Sequence, residues 1–217
     1  MKLRAIILPG NGNCDISSQW YLWVKKKLEA IGINLIAENM PDADLARKEY
    51  WLPWIKEKSQ GADKIILIGH SSGAVAILRY VENHAVEGVA LVAASYTDLG
   101  SETEKASGYF DEPWKWEKIK RNAGWIIQFA STDDPYIPIK EARFIHKKIN
   151  SEYYEYSNQK HFSRDTSGKI TFPELFAADL KRAKRRGQPF NFGSVFKSGG
   201  LRRRQFWPKF TSSLAWR

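Results

Sequence analysis

The chain has 217 residues, 43% hydrophobic and 27% charged, a size and balance that suit one domain burying about 70% of its unfolded surface. A single cysteine, Cys14, excludes an internal disulfide, and with no apolar run near 20 residues no helical membrane span is expected. The formal net charge of +10 is concentrated at one end: residues 181–217 hold eleven of the 34 Lys and Arg and none of the 24 Asp and Glu, which leaves 23 against 24, or −1, for residues 1–180.

The first apolar run, near 3–8, reads as a strand, and Pro9-Gly10-Asn11-Gly12-Asn13 reads as its Gly-rich loop. Neither G-x-G-x-x-G nor G-x-x-x-x-G-K-[ST] is present there, which argues against nucleotide binding. Near 18–30, Trp20, Trp23, Val24 and Leu28 fall at helical spacing and are expected to pack in the core. A strand near 34–38 and a helix near 46–59 follow, then the apolar run near 64–69.

That run leads straight into Gly69-His70-Ser71-Ser72-Gly73 and then into a helical pattern near 73–83. A G-x-S-x-G turn between strand and helix holds its serine in strained backbone, and the flanking glycines let the two elements approach. Ser71 is therefore the candidate nucleophile. A serine hydroxyl is weak at neutral pH and needs a histidine base oriented by a carboxylate.

Downstream, strands are expected near 88–94, 125–130 and 152–156, and helices near 138–149 and 172–186, with Pro138 at the first helical position. In this arrangement acid and base follow the serine in chain order, each after a strand. Ser131-Thr132-Asp133-Asp134-Pro135 ends the strand near 125–130, and Asp134, beside the rigid Pro135, is chosen as the acid, with Asp133 expected to bond the loop backbone. Of the four histidines, His70 sits inside the turn and His84 and His146 fall in or after helical patterns as structural or surface residues. His161, after the strand near 152–156, is the candidate base. The backbone N–H groups of Ser72 and Asn11 are the expected oxyanion donors, with Gly10 or Gly12 open as alternatives to Asn11.

Strands separated by helices imply an α/β fold: a three-layer α/β/α sandwich with a mostly parallel six-stranded sheet. The segment Tyr96 to Ala123 interrupts the alternation and is expected to form a short helical cap, where Tyr109, Phe110, Trp114 and Trp116 either wall a substrate pocket or pin the loop to the core.

Pro9-Gly10-Asn11-Gly12, Asn39-Met40-Pro41-Asp42, Trp51-Leu52-Pro53, Ile68 to Ala74, Ala106-Ser107-Gly108-Tyr109-Phe110, Pro113 to Lys120 and Ser131 to Pro135 together closely resemble the retinoblastoma-binding protein 9 family of small serine hydrolases. The resemblance covers residues 1 to about 180 and implies a minimal α/β-hydrolase with Ser71, Asp134 and His161 as catalytic set, acting on small-molecule ester or amide bonds, aminoacyl ones included. Ser59-Gln60-Gly61-Ala62-Asp63 stands where the family has its L-x-C-x-E segment, so retinoblastoma protein is not expected as a partner.

The expected organisation is a hydrolase domain over 1–186 and a mobile basic tail over 187–217. Lys181 to Arg186 would end the last helix, and Arg202-Arg203-Arg204 adds a second cluster. Phe190, Phe192, Phe196, Phe206, Trp207, Phe210 and Trp216 are interspersed, so nucleic acid or an acidic surface could be contacted through the tail alone. No metal and no organic cofactor is expected. The opening apolar run is too short for a signal peptide, so the cytoplasm is the expected location, with the nucleus left open. The alternative reading is a catalytically silent hydrolase fold that serves as an interaction protein.

Overall fold

A computed structural model describes residues 2–178. The basic tail and the expected end of the last helix lie outside the described residues.

Six strands, β1 (Leu3–Leu8), β2 (Asn34–Ile36), β3 (Lys64–His70), β4 (Gly88–Val92), β5 (Ile126–Ser131) and β6 (Glu152–Tyr156), form one sheet in the order β2-β1-β3-β4-β5-β6. Every pairing is parallel. The helices are α1 (Tyr21–Glu29), α2 (Lys48–Ser59), α3 (Ser72–Val81), α4 (Glu102–Ala106), α5 (Trp116–Asn122), α6 (Ile139–Ile149) and α7 (Arg164–Ser167), with a further helical stretch at 173–178.

Because side chains alternate along a strand, successive strand residues enter two different cores. Ile6, Leu8, Leu67, Val89 and Leu91 pack with Trp51 and Ile55 of α2, the apolar residues of α3 from Ala74 to Val81, Ile119 of α5 and Ile145 of α6. Their neighbours Ala5, Ile7, Ile66, Ile68, Ala90, Val92, Ile127 and Phe129 pack with Tyr21, Val24 and Leu28 of α1 and with Phe172, Leu175 and Phe176. The three layers follow from this: a sheet apolar on both faces needs helices on both.

Order along the sheet positions the site. The chain leaves β1 toward β2 and then returns across β1 to β3, so the loops after β1 and β3 part in opposite directions at one point of the sheet's carboxyl edge. Such a switch point opens a crevice.

Boundaries differ from expectation where side chains capture backbone. Helix α1 begins at Tyr21 instead of near residue 18, because the Asp15 carboxylate accepts from the Ser17 N–H at 2.7 Å and its carbonyl accepts from the Ser18 N–H at 3.0 Å, making a turn. Helix α2 begins at Lys48 instead of near 46: Ala46 is left-handed, with φ 54°, and Asp42 accepts from the Arg47 N–H at 2.9 Å. Pro138 is the residue before α6, with ψ 135°, not its first helical residue. Helix α7, four residues long and capped by Ser163, carried no periodic signal.

Candidate active site

From Ile65 to Glu82 every residue is buried except Ser71. Its backbone has φ 54° and ψ −123°, a conformation uncommon for a residue with a Cβ and one that lifts the side chain off the strand-to-helix path. The neighbouring glycines make the turn possible. A Cβ on Gly73 would lie 2.3 Å from the Leu8 carbonyl oxygen and 2.4 Å from that of Pro9; one on Gly69 would lie 2.6 Å from the Ala74 nitrogen. The elbow is thus wedged against the end of β1, and a Cβ on Gly10 would stand 3.3 Å from that of Ser71.

Asp134 and His161 meet across the loops after β5 and β6. His161 Nδ1 lies 2.9 Å from Asp134 Oδ2 and 3.1 Å from Oδ1, with both side chains almost wholly buried. The carboxylate is held in turn by the N–H groups of Tyr136 at 2.9 Å and Ile137 at 3.1 Å, which donate to Oδ1. With Nδ1 donating to the carboxylate, Nε2 is the ring's free acceptor. Asp133 does a different job: its Oδ1 accepts from Ser131 Oγ and from the Lys160 N–H at 2.9 Å, tying the two loops together beside His161. No hydrogen bond joins Ser71 to His161 among the described residues.

His70, inside the elbow, braces the histidine loop. Its Nε2 lies 2.7 Å from the His161 carbonyl oxygen and its Nδ1 2.7 Å from the Tyr21 hydroxyl. A carbonyl can only accept, so Nε2 carries the hydrogen and Nδ1 accepts from the tyrosine. Burial, with the nearby His161 charge, pushes the His70 pKa down to about 3, and the ring stays neutral. The indole of Trp20 adds a second tie, donating to the Phe162 carbonyl at 2.9 Å. The sequence placed His70 in a turn, and only the fold joins it and Tyr21 to residue 161.

Around the Gly-rich loop the backbone donors separate. The Gly12 N–H donates to the Asp44 carbonyl at 3.0 Å, and the Gly10 N–H faces the Tyr21 hydroxyl. Asn11 lies between them, next to the elbow, with its side-chain amide 2.7 Å from Glu104.

The segment over the site is anchored from α3. The Arg79 guanidinium donates to the carbonyls of Tyr109 at 2.7 Å, Pro113 at 3.3 Å and Glu112, pairs with Glu82 at 2.8 Å, and lies 3.6 Å from the Trp114 ring centroid. Glu82 also accepts from the Lys115 N–H at 2.9 Å. Tyr109 is fully buried, Trp114 stacks on Trp116 at 5.4 Å, and Phe110 meets Trp114 edge-on at 6.3 Å. The observed contacts of these four aromatics therefore join the segment to the core around α3. The side chain of this segment that reaches the elbow is Glu104 of α4, 3.3 Å from Ser72 Oγ.

His84 stacks on Tyr80 at 4.1 Å and His146 on Tyr153 at 4.8 Å, both away from Ser71. Among the described residues no group of three or more His, Cys, Asp or Glu side chains could hold a metal, and no helix is long and apolar enough to cross a membrane.

Comparison with known proteins identifies the family and the fold. The family model described as Serine hydrolase matches residues 5–178. The chain belongs to the serine hydrolase family. Serine hydrolase RBBP9 of Rattus norvegicus is 48% identical over 161 residues, covering 73% of this chain and 87% of the relative. Putative hydrolase YdeN of Bacillus subtilis (strain 168) is 30% identical over 157 residues, covering 69% and 80%. The crystal structure of the ydeN gene product from B. subtilis superposes with a TM-score of 0.76 at 25% identity, over 85% of this chain and all of that one. The Pyrococcus furiosus esterase Pf2001, at 15% identity and a TM-score of 0.60 over 85% and 83% of the two chains, shares the fold. The protein is thus a hydrolase of α/β-hydrolase fold.

Proposed function

We propose that the protein hydrolyses small ester or amide substrates, aminoacyl ones included, through a Ser71–His161–Asp134 triad and an acyl-enzyme. The observation that carries this reading is the His161–Asp134 pair at 2.9 Å on the same sheet edge as a strained Ser71 that alone breaks a run of buried residues.

His161 Nε2 takes the proton of Ser71 Oγ as that oxygen bonds to the substrate carbonyl carbon, and Asp134 stabilises the imidazolium formed. The carbonyl oxygen becomes an oxyanion held by the N–H groups of Asn11 and Ser72. Asn11 is favoured over Gly12, whose N–H already donates to the Asp44 carbonyl, and over Gly10, whose N–H faces the Tyr21 hydroxyl. As the scissile bond breaks, the leaving alcohol or amine takes the proton from His161, leaving Ser71 acylated. A water then gives its proton to His161 and its oxygen to the acyl carbon, and Ser71 regains its proton as the acid departs. Each proton passes through His161, so the cycle calls for no cofactor. The missing Ser71–His161 hydrogen bond is expected to form with substrate, since such bonds are commonly long before the reacting complex assembles.

A fluorophosphonate probe tests the reading. Labelling at Ser71 is expected, lost in Ser71→Ala and in His161→Ala, with ester turnover in Ser71→Ala down by about 10⁶-fold. Absence of labelling in folded protein would leave a silent hydrolase fold acting as an interaction protein.

A further inference from the structure

We propose that the Glu104 carboxylate binds a positively charged amine on the acyl half of the substrate and so selects aminoacyl esters and amides over their neutral counterparts. The inference rests on the hydrolase reading above and assigns its substrate selection to one side chain.

The first ground is where the side chain goes. Ser101-Glu102-Thr103-Glu104 has the form of a capping box, in which the glutamate would turn back to the backbone of the serine. Ser101 does accept from the Glu104 N–H, at 3.4 Å, but the Ser101 N–H is taken by the Asp98 carbonyl at 2.9 Å. The carboxylate leaves its own helix and lies 2.7 Å from Asn11 Nδ2 and 3.3 Å from Ser72 Oγ. These are the two residues whose backbone N–H groups are assigned to the oxyanion.

The second ground is charge. Both partners are neutral, and among the described residues no Lys, Arg or His is ion-paired with Glu104. Burial is the largest influence on its carboxyl and raises its pKa, with the Asn11 and Ser72 hydrogen bonds and, more weakly, the His161 ring opposing that rise. A partly buried anion whose hydrogen-bond partners are neutral is costly, and one next to a developing oxyanion would oppose the reaction of a neutral acyl group. A substrate that brings its own cation reverses both effects. In an aminoacyl group the α-nitrogen sits about 2.5 Å from the carbonyl carbon, so the ammonium arrives with the reacting atom. Charge-assisted hydrogen bonding to Glu104 then orients the acyl group while screening the oxyanion from the carboxylate.

Steady-state kinetics of the full chain test this with methyl esters of alanine, leucine and phenylalanine, each beside its N-acetyl and des-amino analogue. The free-amine esters are expected to exceed both analogues in kcat/KM by roughly 10- to 100-fold in wild type. Glu104→Gln, which keeps an oxygen to accept from Asn11 and Ser72, is expected to lose that preference and to gain activity on the des-amino esters. Equal wild-type turnover of amine and des-amino esters overturns the proposal, as does an unchanged preference in Glu104→Gln. The wild-type comparison decides even where the variant fails to fold. If Ser71 takes no fluorophosphonate and no ester is cleaved, the hydrolase reading itself fails and this one with it; labelling without amine preference fails Glu104 alone.

Discussion

Glycine 73 shows how one missing methyl group holds the site together. A Cβ there would meet two backbone carbonyl oxygens at 2.3 and 2.4 Å, and backbone at the end of β1 cannot swing aside as a side chain would. Gly73→Ala is therefore expected to destabilise the fold by about 3 kcal/mol or more in urea unfolding. A variant within about 1 kcal/mol of wild type would show that the elbow is not wedged against β1. Gly10 shows the milder case: its added Cβ would stand 3.3 Å from the Ser71 Cβ, a tight contact that bears on the Ser71 side chain more than on the fold.

At the scale of elements, α3 starts directly after Ser71 and grips the cap from its last turn. The Arg79–Glu82 pair is buried, with side chains 7% and 4% exposed, and Arg79 satisfies three cap carbonyls besides. Burial also lowers the Arg79 pKa, against the pull of Glu82. Arg79→Met would leave the Glu82 carboxylate buried without its cation, a loss expected at roughly 3–5 kcal/mol. Adding Glu82→Gln should recover part of it, because the lone charge disappears while an acceptor for the Lys115 N–H remains. Urea midpoints of wild type, single and double variants give the comparison, and a double variant no more stable than the single would mean the charge pair is not what matters. The cap's other end hangs on Glu141, whose carboxylate accepts from the Tyr96 and Thr97 N–H groups at 3.0 and 3.1 Å.

The stability of the whole molecule should carry the mark of the buried, neutral His70. Its folded pKa of about 3 lies below the ordinary 6.5, so between those values the unfolded chain binds a proton that the folded one refuses. Stability is then full above pH 6.5 and falls as pH drops toward 3. From pH 7 to pH 5 the loss from this group is expected at roughly 2 kcal/mol, read as a lower free energy of urea unfolding. Glu104 acts with the opposite sign, because its folded pKa is raised. Asp15, Asp42, Asp133 and Glu155, all lowered, add their losses only at more acidic pH. Equal stability at pH 7 and pH 5 would contradict a neutral His70.

Local pattern was enough for the architecture. Apolar runs marked the strands, because a sheet buried on both faces leaves few polar positions in its interior strands, and G-x-S-x-G after such a run marked the elbow. That Ser71, Asp134 and His161 each stand after a strand was legible for the same reason, since parallel strands bring such loops to one edge. The sequence also identified Asp133 as a loop-bonding residue, which is how its carboxylate is placed, beside Lys160.

Tertiary structure alone decided the rest. Glu104 has the local signature of a helix cap and instead spans 93 positions to Asn11; His70 looks like a turn residue and holds the carbonyl of a residue 91 positions away. Arg79 lies in a helical run and closes on carbonyls of the cap. Periodicity and turn chemistry report only on neighbours in the chain, whereas each of these side chains is placed by a partner brought close when helices close over a sheet. The sequence thus determined which strand ends carry Ser71, Asp134 and His161, and the packing of the cap and the two loops decided what surrounds them.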